Sequence, residues 1–237
     1  MILYLNSANI SRIKGGSSHS FIFTTHNEKL VIKTITSSER KQLIKILPKY
    51  CSRLVECKES KLVRIIGLFK LLPENQNFLI MENIIPHKSR AIIFDLKGST
   101  VDRYVDCQHL VPKGTVLKDQ NFIDNQMKIC LSQSQVKETI QVILDDFYVL
   151  KRENIMDYSV LVGIYDKNVK CENRYFLNHL DNYYTIGVID ILQEYNFSKI
   201  TEHRLKSIYK KNSFMMSVAE PDLYFQRISN FLIDIFT

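Results

Sequence analysis

The chain has 237 residues, 45% of them hydrophobic, with only 7 glycines and 5 prolines; that supplies a core for one large domain or two small lobes and argues against disorder or a repeat array. Its net charge of +7 suits anionic lipid, a phosphorylated substrate or nucleic acid, but no RNP-like aromatic motif and no zinc-finger spacing supports the last. No apolar run reaches the length of a membrane span, and "MILYLNS" is too short and lacks the basic lead of a secretory leader.

The elements follow in chain order. A Gly/Ser turn, "KGGSSHSF" (14–21), leads into "FIFTTHNEKLVIKTI" (21–35), two strands joined by a His-Asn-Glu turn. Residues 37–57 begin with a serine cap and place Leu43, Ile46 and Leu47 on one helical face; Pro48 predicts an interruption or an end there. "KLVRIIGLFKLL" (61–72), "NFLIMENI" (77–84) and "RAIIFDL" (90–96) read as buried strands, and 97–125 as loop. The clearest helix spans 132–154, with Val136, Ile140, Ile143, Leu144, Phe147 and Leu150 as its apolar stripe. Strands are expected at 158–165, 174–180 and 183–192, and a last helix at 221–236 with Pro221 in its first turn. This order predicts an α+β protein of two lobes, residues 1–85 and 86–237, with antiparallel sheets and a central cleft. Five cysteines without a CxxC and six histidines without HxxxH or HExxH spacing point to a reduced, cytoplasmic protein without a zinc site.

Three charged residues sit where apolar strands should not carry them. Lys33 lies inside "LVIKTI", downstream of the glycine turn formed by Gly15, Gly16, Ser17 and Ser18. A lone strand lysine is usually a snorkelling edge residue; behind a flexible glycine turn it also fits a nucleotide-phosphate grip, with backbone amides and one ammonium facing the same oxygens. Asp157 stands between the long helix and "YSVLVGIY", and Asp190 closes "IGVID". Either acid alone reads as a turn cap. Two such acids with a strand lysine fit phosphoryl transfer, one orienting a nucleophilic hydroxyl and one holding magnesium. "IIFDLKGSTVDRYV" (92–105) adds Asp95, Lys97 and Gly98 at the end of a further strand.

"FDLKGST", "IMDYSVLVGI" and "IGVIDILQEY" resemble the signature motifs of the phosphatidylinositol phosphate kinases, in the same order. The resemblance runs from about Gly15 through "SVAEPDLYFQRISNFL" (217–232); it is not a match to ordinary protein kinases, since HRD and DFG are absent. It implies a kinase-like fold that uses ATP and Mg2+. By resemblance Lys33 holds the nucleotide phosphates, Lys97 reaches them at the mouth of the cleft, Asp157 is the catalytic aspartate and Asp190 the metal ligand. The segment Met81, Glu82, Asn83 and Ile84 becomes the hinge along which adenine lies. Glu39 is the helix acid expected to pair with Lys33, and the role of Asp95 stays open.

Three departures from the family pattern bear on function. His19 stands where a further glycine is expected, which predicts a stiffer phosphate loop. The N-terminal extension used for dimerisation and the long insert between the last two motifs are missing, which favours a monomer. In place of an adjacent lysine pair for gripping anionic membrane, "FSKITEH" (197–203) carries a single Lys199. Glu202 matches the acid that marks members acting on phosphatidylinositol 4-phosphate, whereas "LVEC" (54–57) and "KGSTV" (97–101) are closer to the branch using the 5-phosphate. Lys210 and Lys211, beside Phe214, Met215 and Met216, read either as core under the last helix or as a loop for a peripheral membrane contact. Three functions stay open: a kinase acting on the 5-hydroxyl of phosphatidylinositol 4-phosphate, a kinase of soluble inositol phosphates, and a catalytically dead phosphoinositide-binding module.

Overall fold

A computed structural model describes residues 9–11, 20–107, 113–165, 169, 173–195 and 220–237. The first sheet holds β1 (Asn9–Ser11), β2 (Ile22–Thr24), β3 (Leu30–Ile35), β4 (Ile65–Leu71) and β5 (Gln76–Glu82) in the order β1-β2-β3-β5-β4. Every neighbouring pair in it is antiparallel. The second sheet holds β6 (Ala91–Leu96), β7 (Val116–Leu117), β8 (Ser159–Tyr165), β9 (Phe176–His179) and β10 (Asn182–Ile189) in the order β7-β6-β8-β10-β9. Only the β6–β7 pair there is parallel. With α1 (Ser37–Glu56), α2 (Asp119–Asp124), α3 (Gln133–Arg152) and α4 (Pro221–Ile235), the class is α+β in two lobes, one sheet to each.

Two expectations about α1 need correction. Its cap is Thr36 rather than a serine: the Thr36 hydroxyl accepts from the Glu39 amide at 3.1 Å, and Glu39 accepts from the Thr36 amide at 2.7 Å, a closed capping box. Pro48 neither ends nor interrupts the helix, which continues to Glu56. The proline sits on the exposed face, where the carbonyl it leaves without an N–H partner is open to water. Leu43, Ile46 and Tyr50 form the buried stripe, and Leu47 turns outward, 40% exposed. The long helix α3 follows its predicted stripe, with Ile143, Phe147 and Leu150 buried and Val136, Ile140 and Leu144 packed at the margin of the same core. Residues 97–125, expected as loop, contain β7 and α2. The buried positions of α2 are Asp119, Asn121 and Phe122, so apolar periodicity does not reveal it.

The lobes share one core. Ile35, Leu43, Ile46, Tyr50, Leu62 and Leu79 from the first half pack in the same cluster as Phe94, Phe147, Tyr158, Val162 and Val188 from the second. The segment before β4 also runs alongside β10: Val63 N–H donates to Val188 O at 2.8 Å, and Val188 N–H to Lys61 O at 2.7 Å. Asp146, on the buried side of α3 and with no exposed surface, pins this junction. Its carboxylate accepts from Arg53 Nε of α1 at 2.7 Å, Ser60 Oγ at 2.9 Å and Lys61 N–H at 2.7 Å. Burial pushes the Asp146 carboxyl up, and Arg53 pulls it back down.

Removing one member of a buried ion pair leaves the other uncompensated, at about 3–5 kcal/mol. Asp146→Ala should therefore lower Tm by roughly 6 °C or more, a scale set by about 2–4 °C per kcal/mol for a chain of this size. Calorimetry showing a drop of under about 2 °C would mean that the carboxylate does not brace the two halves.

Candidate functional site

Strand register brings the candidate residues together. β8 runs antiparallel to both β6 and β10, pairing Val160 with Leu96 and Ser159 with Ile189. The C-terminal ends of β6 and β10 and the N-terminal end of β8 thus lie at one margin of the second sheet. Lys97 follows β6, Asp157 stands two residues before β8, and Asp190 follows β10. Asp157 (φ 60°) and Asp190 (φ 58°) both adopt the left-handed backbone. Aspartate tolerates that region better than most residues.

Lys33, midway along β3 of the first sheet, reaches across to this margin. Its Nζ lies 3.0 Å from Asp190 Oδ1, with the two side chains 20% and 40% exposed. Lys97 Nζ lies 2.8 Å from Asp157 Oδ1 and donates to the Asp157 carbonyl at 2.7 Å. The electrostatics separate the two acids. Burial pushes the Asp157 carboxyl up, against the pull of Lys97. Burial also opposes ionisation of Asp190, but Lys33 and Lys97 outweigh it and hold that carboxyl below the ordinary carboxylate range. Asp190 in turn raises the Lys33 ammonium. The result is two ammonium groups and two carboxylates at one place, arranged as ion pairs that phosphate oxygens could compete for.

Glu39 does not pair with Lys33. Its carboxylate is engaged by the Thr36 amide and hydroxyl at 2.7 and 2.8 Å, and Asp190 occupies the ammonium instead; Glu39 contributes to the Lys33 shift only after Asp190. The Met81–Ile84 segment begins with the last two residues of β5, which pairs with the strand of Lys33. It is held by Glu82 N–H on Arg64 O (2.8 Å), Asn83 N–H on Lys29 O (2.9 Å) and Asn83 Nδ2 on Glu28 O (2.8 Å). Ile84 packs over Gly187, where a Cβ would stand 2.6 Å from Ile84 Cδ1. Gly15, Gly16, Ser17, Ser18 and His19 lie outside the described residues, as do Lys199, Glu202, Lys210, Lys211, Phe214, Met215 and Met216.

Asp119 and Arg103 are the residues that sequence reasoning missed. Asp119, the first residue of α2, is fully buried, and Arg103 is 8% exposed. Asp119 Oδ1 accepts from the amides of Lys97 (2.8 Å), Gly98 (2.7 Å) and Ser99 (3.3 Å). Arg103 Nε donates to Asp119 Oδ2 at 2.7 Å, and its Nη2 reaches Asp95 Oδ1 at 2.9 Å as well as the Asp95 carbonyl. Asp95 therefore anchors Arg103, whereas the "DLKGS" turn itself is held by Asp119. No sequence signal distinguishes Asp119 from a loop aspartate, because its importance comes from partners about twenty positions away.

Among the described residues no cluster of three or more His, Cys, Asp or Glu could hold a metal by itself. Asp190 with part of its carboxylate exposed fits a different arrangement, in which Mg2+ takes one or two carboxylate oxygens and completes its shell with substrate phosphates and water.

The model for phosphatidylinositol-4-phosphate 5-kinase matches residues 5–179 and 173–235. A probable phosphatidylinositol phosphate kinase of Dictyostelium discoideum is 36% identical over 154 residues, 63% of this chain and 21% of that protein. The phosphatidylinositol 5-phosphate 4-kinase type-2 gamma of Danio rerio is 30% identical over 157 residues, 64% of this chain and 37% of its own length. The phosphatidylinositol 4-phosphate 5-kinase 4 of Arabidopsis thaliana is 27% identical over 295 aligned positions, 94% of this chain and 37% of that protein. The chain thus spans well under half the length of these three relatives. With the family model matched along nearly all of the sequence, and with the motifs that carry the likeness folded onto one margin of the second sheet, the chain belongs to the phosphatidylinositol-4-phosphate 5-kinase family.

Proposed function

We propose that this chain transfers the γ-phosphate of ATP to a hydroxyl of a phosphorylated inositol ring. The observation that carries the reading is the double ion pair, Lys33 with Asp190 and Lys97 with Asp157. In this reading residues 1–85 form the nucleotide lobe and 86–237 the catalytic lobe, in keeping with the change of sheet between Glu82 and Ala91. Gly15, Gly16, Ser17 and Ser18 form the phosphate loop, and Met81 to Ile84 the adenine edge. Lys33 and Lys97 exchange their carboxylate partners for phosphate oxygens when nucleotide enters. Asp157 then accepts a hydrogen bond from the acceptor hydroxyl and orients it for in-line attack. Asp190 would hold Mg2+, which when bound supplies charge neutralisation on the phosphate oxygens. Strong positive charge opposite a triply charged leaving group is the main contribution the protein makes to this chemistry.

The acceptor we favour is the 5-hydroxyl of phosphatidylinositol 4-phosphate, on the strength of Glu202 and of relatives whose names include 4-phosphate 5-kinase. Other relatives are named for the 5-phosphate substrate, so both monophosphates belong in the assay. No helix among the described residues is long and apolar enough to cross a membrane. A lipid acceptor presents its ring at the bilayer surface, where Lys199, Lys210 and Lys211 would meet the headgroups at about 1 kcal/mol each. Purified protein with labelled ATP should be offered vesicles of each phosphatidylinositol monophosphate and, in parallel, soluble inositol phosphates. Label entering soluble substrates alone would overturn the lipid reading, and no transfer to any of them would overturn the kinase reading.

Asp157→Asn and Asp190→Asn each keep shape and remove charge, and each should lower turnover by roughly 10²-fold or more. Near-normal turnover in both would sink the assignment of these acids. Lys33→Met should abolish transfer while leaving melting within a few degrees, because a partly exposed ion pair contributes about 1 kcal/mol or less. Unfolding of Lys33→Met in a thermal scan would mark that lysine as structural.

A further inference from the structure

The turn carrying Lys97 is held from both sides. Gly98 has φ 64°, and a Cβ there would lie 3.1 Å from both Arg227 O and Ile228 Cα of α4. On its other side the amides of residues 97, 98 and 99 converge on Asp119 Oδ1 at 2.8, 2.7 and 3.3 Å. Successive amides aimed at one point form the kind of concavity that captures anions, and here the anion is a carboxylate of the same chain. A fully buried carboxylate is costly unless it is paired and hydrogen-bonded. Arg103 meets that need on the second oxygen at 2.7 Å and continues to Asp95 at 2.9 Å. The Lys97 backbone thus has little freedom, and its Nζ is delivered to Asp157 at 2.8 Å.

We infer that Asp119 is a positioning residue for phosphoryl transfer: it fixes the backbone of residues 97–99 so that the Lys97 ammonium meets Asp157 and the phosphates, with Arg103 as its counter-charge. The inference rests on the kinase reading above. Asp119 has no hydrogen bond to Asp157 or Asp190, and its direct link to the site is the Lys97 backbone that it holds.

That dependence supplies the test. Single-turnover rates with excess enzyme and labelled ATP are measured for the unaltered chain, Asp119→Asn, Lys97→Ala and the double variant. Asp119→Asn should slow transfer by about tenfold to a hundredfold when Lys97 is present, since a misplacement of about 1 Å can cost about 10²-fold. In the Lys97→Ala chain the same change should cost no more than about threefold, because no ammonium remains to be misplaced. Hydrogen exchange at the Lys97 and Gly98 amides should accelerate about tenfold in Asp119→Asn, reporting the anchor independently of turnover. An equal loss in both backgrounds, or none in either, overturns the positioning role. If Asp119→Asn does not fold, Arg103→Lys replaces it: the charge stays, the fork to Asp119 and Asp95 is lost, and the same dependence on Lys97 is expected, its absence overturning the inference. Absence of turnover in the unaltered chain would overturn the kinase reading and this inference together, whereas turnover that Asp119→Asn leaves intact overturns this inference alone.

Discussion

Antiparallel pairing of β8 with both β6 and β10 forces two strand exits and one strand entry onto a single margin, and each of these carries a charged residue. Lys97 leaves β6, Asp190 leaves β10, and Asp157 enters β8. A parallel arrangement would send one of the three to the far end of the sheet. A register slip of one residue would turn their neighbours to the opposite face. Register is secured by the apolar residues between the charges: Phe94, Leu96, Val160, Val162, Ile186 and Val188 are all buried. Core packing and site geometry therefore have one cause.

Among the described residues, Lys33 of the first lobe reaches Asp190 of the second, and its placement depends on the joint between the lobes. Lys33 meets Asp190 because the segment at Lys61–Val63 is hydrogen-bonded along β10 and because Asp146 ties α1 and α3 to that segment. These are backbone bonds and a buried ion pair, both demanding in geometry. Lys33 and Asp190, by contrast, keep part of their surface in water. Such a pair adds little to stability, which in the proposed reading leaves the ammonium available to phosphate. The division suits the proposed function, with rigid support away from the site and partly solvated charge at it.

Buried charge near the site follows the opposite rule. Asp119 and Arg103 are closed off from solvent and mutually satisfied, so they hold backbone rather than ligand. Tyr158, buried beside Asp157, packs edge-on against Tyr224 of α4, with ring centroids 4.8 Å apart. The Tyr224 hydroxyl donates to the Tyr158 carbonyl. The last helix thus supports both the Asp157 corner and the Gly98 turn.

Most of the longer strands and helices were legible in the sequence because apolar periodicity is a local property, whereas the short β1, β7 and α2 were not. The stripe of α3 and the strands that run up to Lys97 and Asp190 could be read directly. So could the motifs around Lys97, Asp157 and Asp190, whose residue types are unusual for apolar surroundings. Where sequence reading went astray, the deciding interaction was a distant contact, exposure to solvent or a competing helix cap. Pro48 is tolerated within α1 because its face of the helix is wet. Glu39 is claimed by its own helix terminus at Thr36, which leaves Lys33 to an acid 157 positions away. The short helix α2 was invisible because it buries polar residues, and Asp119 gains its place only from the amides of residues 97–99. Local pattern determines which segments become strands and helices. Which carboxylate faces which ammonium is decided only when the sheets pack, because burial and Coulomb attraction act through space without regard to position along the chain.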